Sequence, residues 1–333
     1  MVFKRLLGSM GVGGPAMDTA LDLATAVPGG SLTGEVRLTG GRADFDIEHI
    51  TLELVARVEA ESDGGEHEGA LAFQRFQVGG GFRLAEAENR SVPFAVTLPW
   101  ETPVTQLHGQ GLGIALGVRT ELGIVGAKYK GDLDPLAVGP LPAQEAILEA
   151  FGRLGFGFKS ADLEYGRIGG TSQQLPFYQE IELTPAPQYA HQVSEIEVTF
   201  LANPSGLEVV LEADKRGGLF TSDHDALSRH VVSHEGVTHR DWNAVVGSWI
   251  SQLLEAHTAR TPYTPYGHGG DHATHTHKVD HGHRSGPGMG TVVAAGAAGL
   301  AVGVVGGMVA AEAVDEIGDF FEGDEGDEEG EEA

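Results

Sequence analysis

Cysteine is absent from the 333 residues, and Lys and Arg together number 21 against 48 Asp and Glu. Without thiols there is no disulfide framework, no cysteine nucleophile and no thiolate metal site, and a reducing cytoplasm suits the chain. The shortage of basic residues gives a net charge of −27. No basic face is large enough to neutralise phosphates, which sets nucleic-acid binding aside. Phosphate-binding and hydrolase signatures are missing as well: there is no GxxxxGK[ST] and no G-x-S-x-G. In GQGLGIALG, Gly111 and Gly113 are followed by Leu116 where a dinucleotide fingerprint needs glycine. His234-Glu235 is no H-E-x-x-H pair, because Thr238 stands where the second histidine belongs. Carboxylates are plentiful but form no distinctive pair, and they read as solvated strand faces. With no catalytic anchor, the chain is expected to be non-enzymatic and to need no cofactor.

What is present is strand texture. Residues 18–39 alternate through Leu21 and Leu23, then through Leu32, Val36 and Leu38, on either side of a Pro28-Gly29-Gly30 turn. Strands are expected again over 47–58, 71–78, 92–98 and 114–124, at a spacing that suits an antiparallel sandwich. Pro93 predicts an edge position, because proline cannot donate to a ladder. The stretch DLDPLAVGPLP, 132–142, carries three prolines and reads as a hinge. Behind it, AQEAILEAFGRLGF places Ile147, Leu148, Phe151 and Leu154 at helical spacing, with Gly155 as the cap. Strands return at 156–165, 177–183, 193–201 and 207–212. An amphipathic helix closes the unit over 240–257, with Trp242, Val245, Val246, Trp249, Leu253 and Leu254 on one side.

Histidines form two groups. In HGGDHATHTHKVDHGH, 268–283, the residues His272, His275, His277, His281 and His283 are candidate ligands for Zn²⁺ or Ni²⁺, with Asp271 or Asp280 adding a carboxylate. A built metal centre needs rigid ligands with partners that fix each imidazole, and this run lies between Gly and Pro with no hydrophobic pattern. A polar tether with incidental metal affinity is the preferred reading. A looser group comprises His224, His230, His234 and His239; a strand through RHVVSH would put His230 and His234 on one face, though plain surface histidines are the simpler expectation.

Two further segments follow. VVAAGAAGLAVGVVGGMVAA, 292–311, has no charge, and Gly299, Gly303 and Gly307 repeat at the spacing that lets helices approach closely. Its five Gly and seven Ala give little drive for insertion, so a self-associating or reversibly docking helix is favoured over a membrane span. From Glu312 onward there are twelve carboxylates and no Lys or Arg, a solvated tail in which Ile317, Phe320 and Phe321 have the spacing of a short docking helix. The opening MVFKRLLGSMGVGG is too short and too broken by glycine for a signal peptide, and reads as a weakly amphipathic cytoplasmic N-terminus.

Taken in order, MVFKRLLGSMGVGGPAMDT, VPGGSLTGEVRLTGG, SVPFAVTLPWETPV, LGVRTELGIVGAKYKGDLDPLAV, EAFGRLGFGFKSADLEYGR and QLPFYQEIELTP resemble the SpoOM family of sporulation-control proteins. The resemblance covers about residues 1–255, and the tail suits an actinobacterial type with a C-terminal extension. It implies a mainly β protein with two arrestin-like antiparallel β-sandwich domains, one or two short helices in the second, and a low-complexity tail. The expected division is a first sandwich at 1–131, a hinge at 132–142 and a second sandwich with helices at 143–258. A His/Gly/Pro-rich linker at 259–291, an apolar segment at 292–311 and an acidic tail at 312–333 follow. The implied role is that of a cytoplasmic scaffold that tunes sporulation and cell differentiation by binding proteins of the sporulation or cell-division machinery. Homo-oligomers and weak membrane association through 292–311 stay open. The rival readings are a metal-binding or metal-dependent protein built on the His-rich segments, and a membrane-anchored envelope protein using 292–311.

Overall fold

Alternating side chains decide which face of each strand is buried. In β2 (Ser31–Thr39) Leu32, Val36 and Leu38 point inward while their neighbours face solvent. The computed structural model describes residues 13–62, 65–214 and 226–260. The first half of the chain contains β1 (Ala16–Leu21), β2, β3 (Phe45–Ser62), β4 (Gly65–Gly79), β5 (Phe82–Leu84), β6 (Asn89–Thr97), β7 (Gln106–Leu107), β8 (Gln110–Gly111), β9 (Leu116–Ile124) and β10 (Ala127–Pro135). In the second half are α1 (Pro142–Arg153), β11 (Gly157–Tyr165), β12 (Phe177–Thr184), β13 (Glu195–Asn203), β14 (Gly206–Asp214), β15 (Ala226–Ser233), a 3-10 turn (Val237–His239) and α2 (Trp242–Arg260). The protein is mainly β with two helices in its second half, as the sequence predicts.

A three-stranded sheet, β1-β2-β6, packs Leu32, Val36 and Leu38 against Ile50, Leu52 and Leu54 of β3 and Val118 and Leu122 of β9. β6 is terminal in that sheet, and Pro93 sits on it opposite Glu35, so its missing N–H breaks no ladder. In the Pro28-Gly29 turn, Gly29 has φ +70°, and a Cβ there would lie 2.5 Å from the Trp100 ring. Only glycine admits both the turn and the indole lid.

In the second half, β11 to β15 form the sheet, and α1 and α2 supply the layer facing it. Ile181, Leu183, Ile196, Val198, Val209 and Leu211 meet Ile147 and Phe151 of α1 and Val246, Trp249, Ile250 and Leu253 of α2. Pro142 opens α1, where the Leu141 N–H donates to Gln144 Oε1 at 2.7 Å. Gly155, at φ +93°, ends the helix as the sequence places it.

One strand belongs to both halves. β3 pairs antiparallel with β9 from Ile47 to Ala56, and beyond that point Glu59 pairs in parallel with Glu164 of β11. The result is a continuous ladder running β10-β9-β3-β11-β12-β13-β14-β15. The proline-rich stretch read as a hinge is held along its length. Leu133, Asp134 and Pro135 pair with Arg119, Val118 and Gly117, and Val138 bridges Ala26.

Candidate interaction surface

The segment after β6 clamps the two halves together. Glu101 accepts hydrogen bonds from the Gln174 and Leu175 N–H groups, each at 2.8 Å from Oε2. The Gln179 amide bonds Val104 in both directions: the Val104 N–H donates to Oε1 at 2.9 Å, and Nε2 donates to the Val104 carbonyl at 2.8 Å. Aromatic contacts add to this. Phe73 of β4 meets Phe177 of β12 edge-on at 5.3 Å, and Trp100 stacks on His234 at 5.1 Å.

At the far end of the ladder, β15 pairs with β14 alone among the described residues. Two of its outward residues are apolar: Val231 is 85% exposed and Leu227 37%. Between them Arg229 turns back to donate to the Gly169 and Gly170 carbonyls. On the inner side His230 lies flat against Trp249, with centroids 4.4 Å apart, and burial lowers its pKa. His234 donates from Nε2 to the Asn203 carbonyl at 2.8 Å. Each of the two histidines is thus spoken for by a different tryptophan, and they enter no ligand cluster among the described residues.

The outer face of β11 to β14 brings together carboxylates that the sequence scatters. Asp162 faces Glu180 across the ladder, and Glu182, Glu197 and Glu212 form a row over three strands. Lys159 bridges Glu182 and Glu195 at one end, and these contacts raise its pKa. Burial opposes ionisation of Glu182, but the hydrogen bonds from Lys159 and Ser160 hold its carboxyl below the usual range. In the interior of the face, Glu180, Glu197, Glu212, Tyr178, Thr199, Val210 and Ile168 enclose a cavity of about 20 Å³. Ile168 comes from the loop 166–176, which Gln173 organises from within by donating to the Gly166 and Leu175 carbonyls. Burial first, then the charges of Glu197, Asp162, Glu164 and Glu212, push the Glu180 carboxyl well above the usual range. Tyr178 is raised in the same way, by burial and then by Glu180. The reading of these residues as solvated strand faces is therefore corrected in part: Glu180, Glu182, Glu197 and Glu212 are half-buried, and Ile168 of the loop lines the cavity beside Glu180, Glu197 and Glu212. The E-I-E alternation in FYQEIEL and SEIEVTFL marks the outward face, but only strand register shows that it converges.

A third group is open to solvent. His108, at the tip of the β7–β8 hairpin, lies 3.4 Å from Glu145 and 3.6 Å from Glu149 of α1. The candidate ligands His272, His275, His277, His281 and His283 lie outside the described residues. The same holds for the interaction residues Gly299, Gly303, Gly307, Ile317, Phe320 and Phe321. Among the described residues, no helix is long and apolar enough to cross a membrane.

A shared long strand, a clamped join, an open terminal strand and helices confined to the second half define a two-part, arrestin-like β protein. Its relatives agree with that class. The SpoOM protein family matches residues 3–217, and the chain belongs to this family. It is 36% identical over 215 residues to the sporulation-control protein Spo0M of Bacillus subtilis, covering 64% of this chain and 81% of the relative. The crystal structure of the B. subtilis Spo0M matches with a TM-score of 0.63 at 30% identity, over 74% of this chain and all of that one.

Proposed function

We propose that the protein is a non-enzymatic regulator of sporulation and cell differentiation that works by binding other proteins. Membership of the SpoOM family and the printed role of the B. subtilis relative support the process. The observation that supports the mode is β15: a terminal strand whose outward positions Leu227 and Val231 are apolar and exposed. An extended segment of a partner adds to such an edge by main-chain hydrogen bonds, with alternate side chains giving specificity. The clamp at Trp100, Glu101 and Val104 presents that edge on a rigid body, and the segments after residue 260 supply a second contact that raises effective concentration.

The test is complementation. A deletion strain that has lost normal sporulation is given either the intact chain or Val231→Asp. The variant is expected to accumulate and melt like the parent yet fail to restore the phenotype. Full rescue by Val231→Asp would remove β15 from the mechanism. A turnover activity that survives purification and depends on particular His or Asp residues would overturn the non-enzymatic reading.

A further inference from the structure

Among the described residues β15 ends the ladder, and its outward side carries a short pattern. Leu227, Arg229 and Val231 are all exposed, and they lie opposite Glu212, Val210 and Glu208 of β14. Arg229 is the charged residue of β15 on this face, and its guanidinium donates to two neutral acceptors, the Gly169 and Gly170 carbonyls. A strand added beside β15 meets this triplet at alternate positions. Its complement is a bulky apolar residue, an acid and a second bulky apolar residue at i, i+2 and i+4. On the inner side of the same edge His230 is stacked on Trp249, where a small residue fits most readily.

Outside the described residues the chain supplies that pattern once. In DEIGDFFEG, Ile317, Asp319 and Phe321 stand at i, i+2 and i+4; every other acid there lacks a bulky apolar residue on at least one side at that spacing. An antiparallel register sets Ile317 against Val231, Asp319 against Arg229 and Phe321 against Leu227. It also puts Gly318 opposite His230, and Phe320 opposite the small Ser228. A parallel register would set Phe320 against His230 instead. The tether is long enough: α2 packs on β15 through Trp249, and residues 261–316 lead from its end to Ile317. A coil of that length spans about 40 Å, against about 28 Å for the 19 residues of α2.

We propose that residues 317–321 of the chain's own tail pair antiparallel with β15 as a further strand of the ladder. This rests on the reading of β15 as an edge that accepts an extended segment, and it makes the tail the occupant that an outside partner displaces. Covered in this way, the edge is withheld from pairing between copies. A partner that takes the edge also frees the tail for its own second contact.

The chain has no cysteine, so engineered pairs report the contact directly. In the full chain Val231→Cys is combined with Ile317→Cys, with Phe321→Cys or with Glu328→Cys, and disulfide formation is followed under mild oxidation. The Ile317 pair is expected to close fastest, within the monomer, and to slow when Asp319→Arg is added. Hydrogen exchange on the parent is expected to show protected β15 amides, and Ile317→Ser with Phe321→Ser to remove that protection while the rest of the sheet is unchanged. The proposal is overturned if the Ile317 and Glu328 pairs close at the same rate, or if the Phe321 pair outruns both. Disulfides that join two chains overturn it as well, because the occupant is then a second copy. Complementation by Val231→Asp separates the two readings. Rescue beside a fast Ile317 disulfide removes the partner role and keeps the tail strand, whereas failed rescue beside slow disulfides does the reverse.

Discussion

Glu53 on β3 has no exposed side-chain surface, and Arg119 on β9 grips it from the adjacent strand through two hydrogen bonds to Oε2, 2.9 Å from Nε and 2.7 Å from Nη2. The two residues are direct register partners, and on the other side Arg75 of β4 reaches Oε1 at 2.5 Å. A buried carboxylate of this kind is tolerated only while its partners remain.

Arg119→Ala therefore leaves a buried charge half-served and is expected to destabilise the fold by about 3–5 kcal/mol. Arg75 is 61% exposed, so Arg75→Ala costs less. Urea denaturation of both variants checks the order; equal losses would show that burial of Arg119 does not matter.

Gly29→Ala drives a methyl group into the Trp100 ring at a backbone φ of +70°. Strain and displacement together are expected to cost about 1–3 kcal/mol. Because Trp100 also stacks on His234, its indole fluorescence should shift in the variant while far-UV circular dichroism stays the same.

Gln179→Leu removes both bonds to Val104 at the join. Leaving the Val104 N–H and carbonyl without these partners is expected to cost about 1–3 kcal/mol. Hydrogen exchange should accelerate at Val104 and at Leu175 nearby, with little change inside the second core. Uniform acceleration would instead indicate global unfolding.

The pH profile has opposing contributions. The folded state binds the Glu180 proton more tightly than the unfolded chain does. Its contribution is therefore complete below the ordinary value of 4.5 and is lost as pH rises through the higher folded value. His230 works the other way: burial lowers its pKa, so its contribution is present above 6.5 and lost as pH falls through the folded value. Subtracting the Tm curve of Glu180→Gln from that of the parent, in chelator, cancels His230. The difference should move against the parent as pH rises above 4.5. Parallel curves would show that Glu180 does not titrate in this range.

Val231→Asp, at a position 85% exposed, should leave stability within about 0.5 kcal/mol. Differential scanning calorimetry sets this apart from the loss of complementation expected above, so that a failure to act cannot be put down to a failure to fold.

Periodicity made most elements legible in advance. Leu32, Val36 and Leu38 alternate, Ile147, Leu148 and Phe151 recur at helical spacing, and Pro93 announces an edge. Less visible were the features that depend on which strand lies beside which. Nothing in the sequence near Glu59 shows that it leaves the company of β9 for β11, and β10 hides in a stretch whose prolines suggest a hinge. The carboxylate cavity escaped notice for the same reason: Glu180, Glu197 and Glu212 sit on three strands, each with an ordinary polar outer face. They become half-buried only where the strands align them and Ile168 of the 166–176 loop joins the lining, a tertiary event with no local signature. Arg75, Glu53 and Arg119 likewise look like three unrelated surface charges until the register aligns them.

The passage of β3 from β9 to β11 means that both halves share a single pleat. The parity that sends Leu52 and Leu54 into the first core and Glu53 to the opposite face also fixes which way the chain presents itself at Glu59. A one-residue insertion between Ala56 and Glu59 would invert that parity on one side of the join alone, so the spacing along this strand serves as the phase reference for the whole molecule.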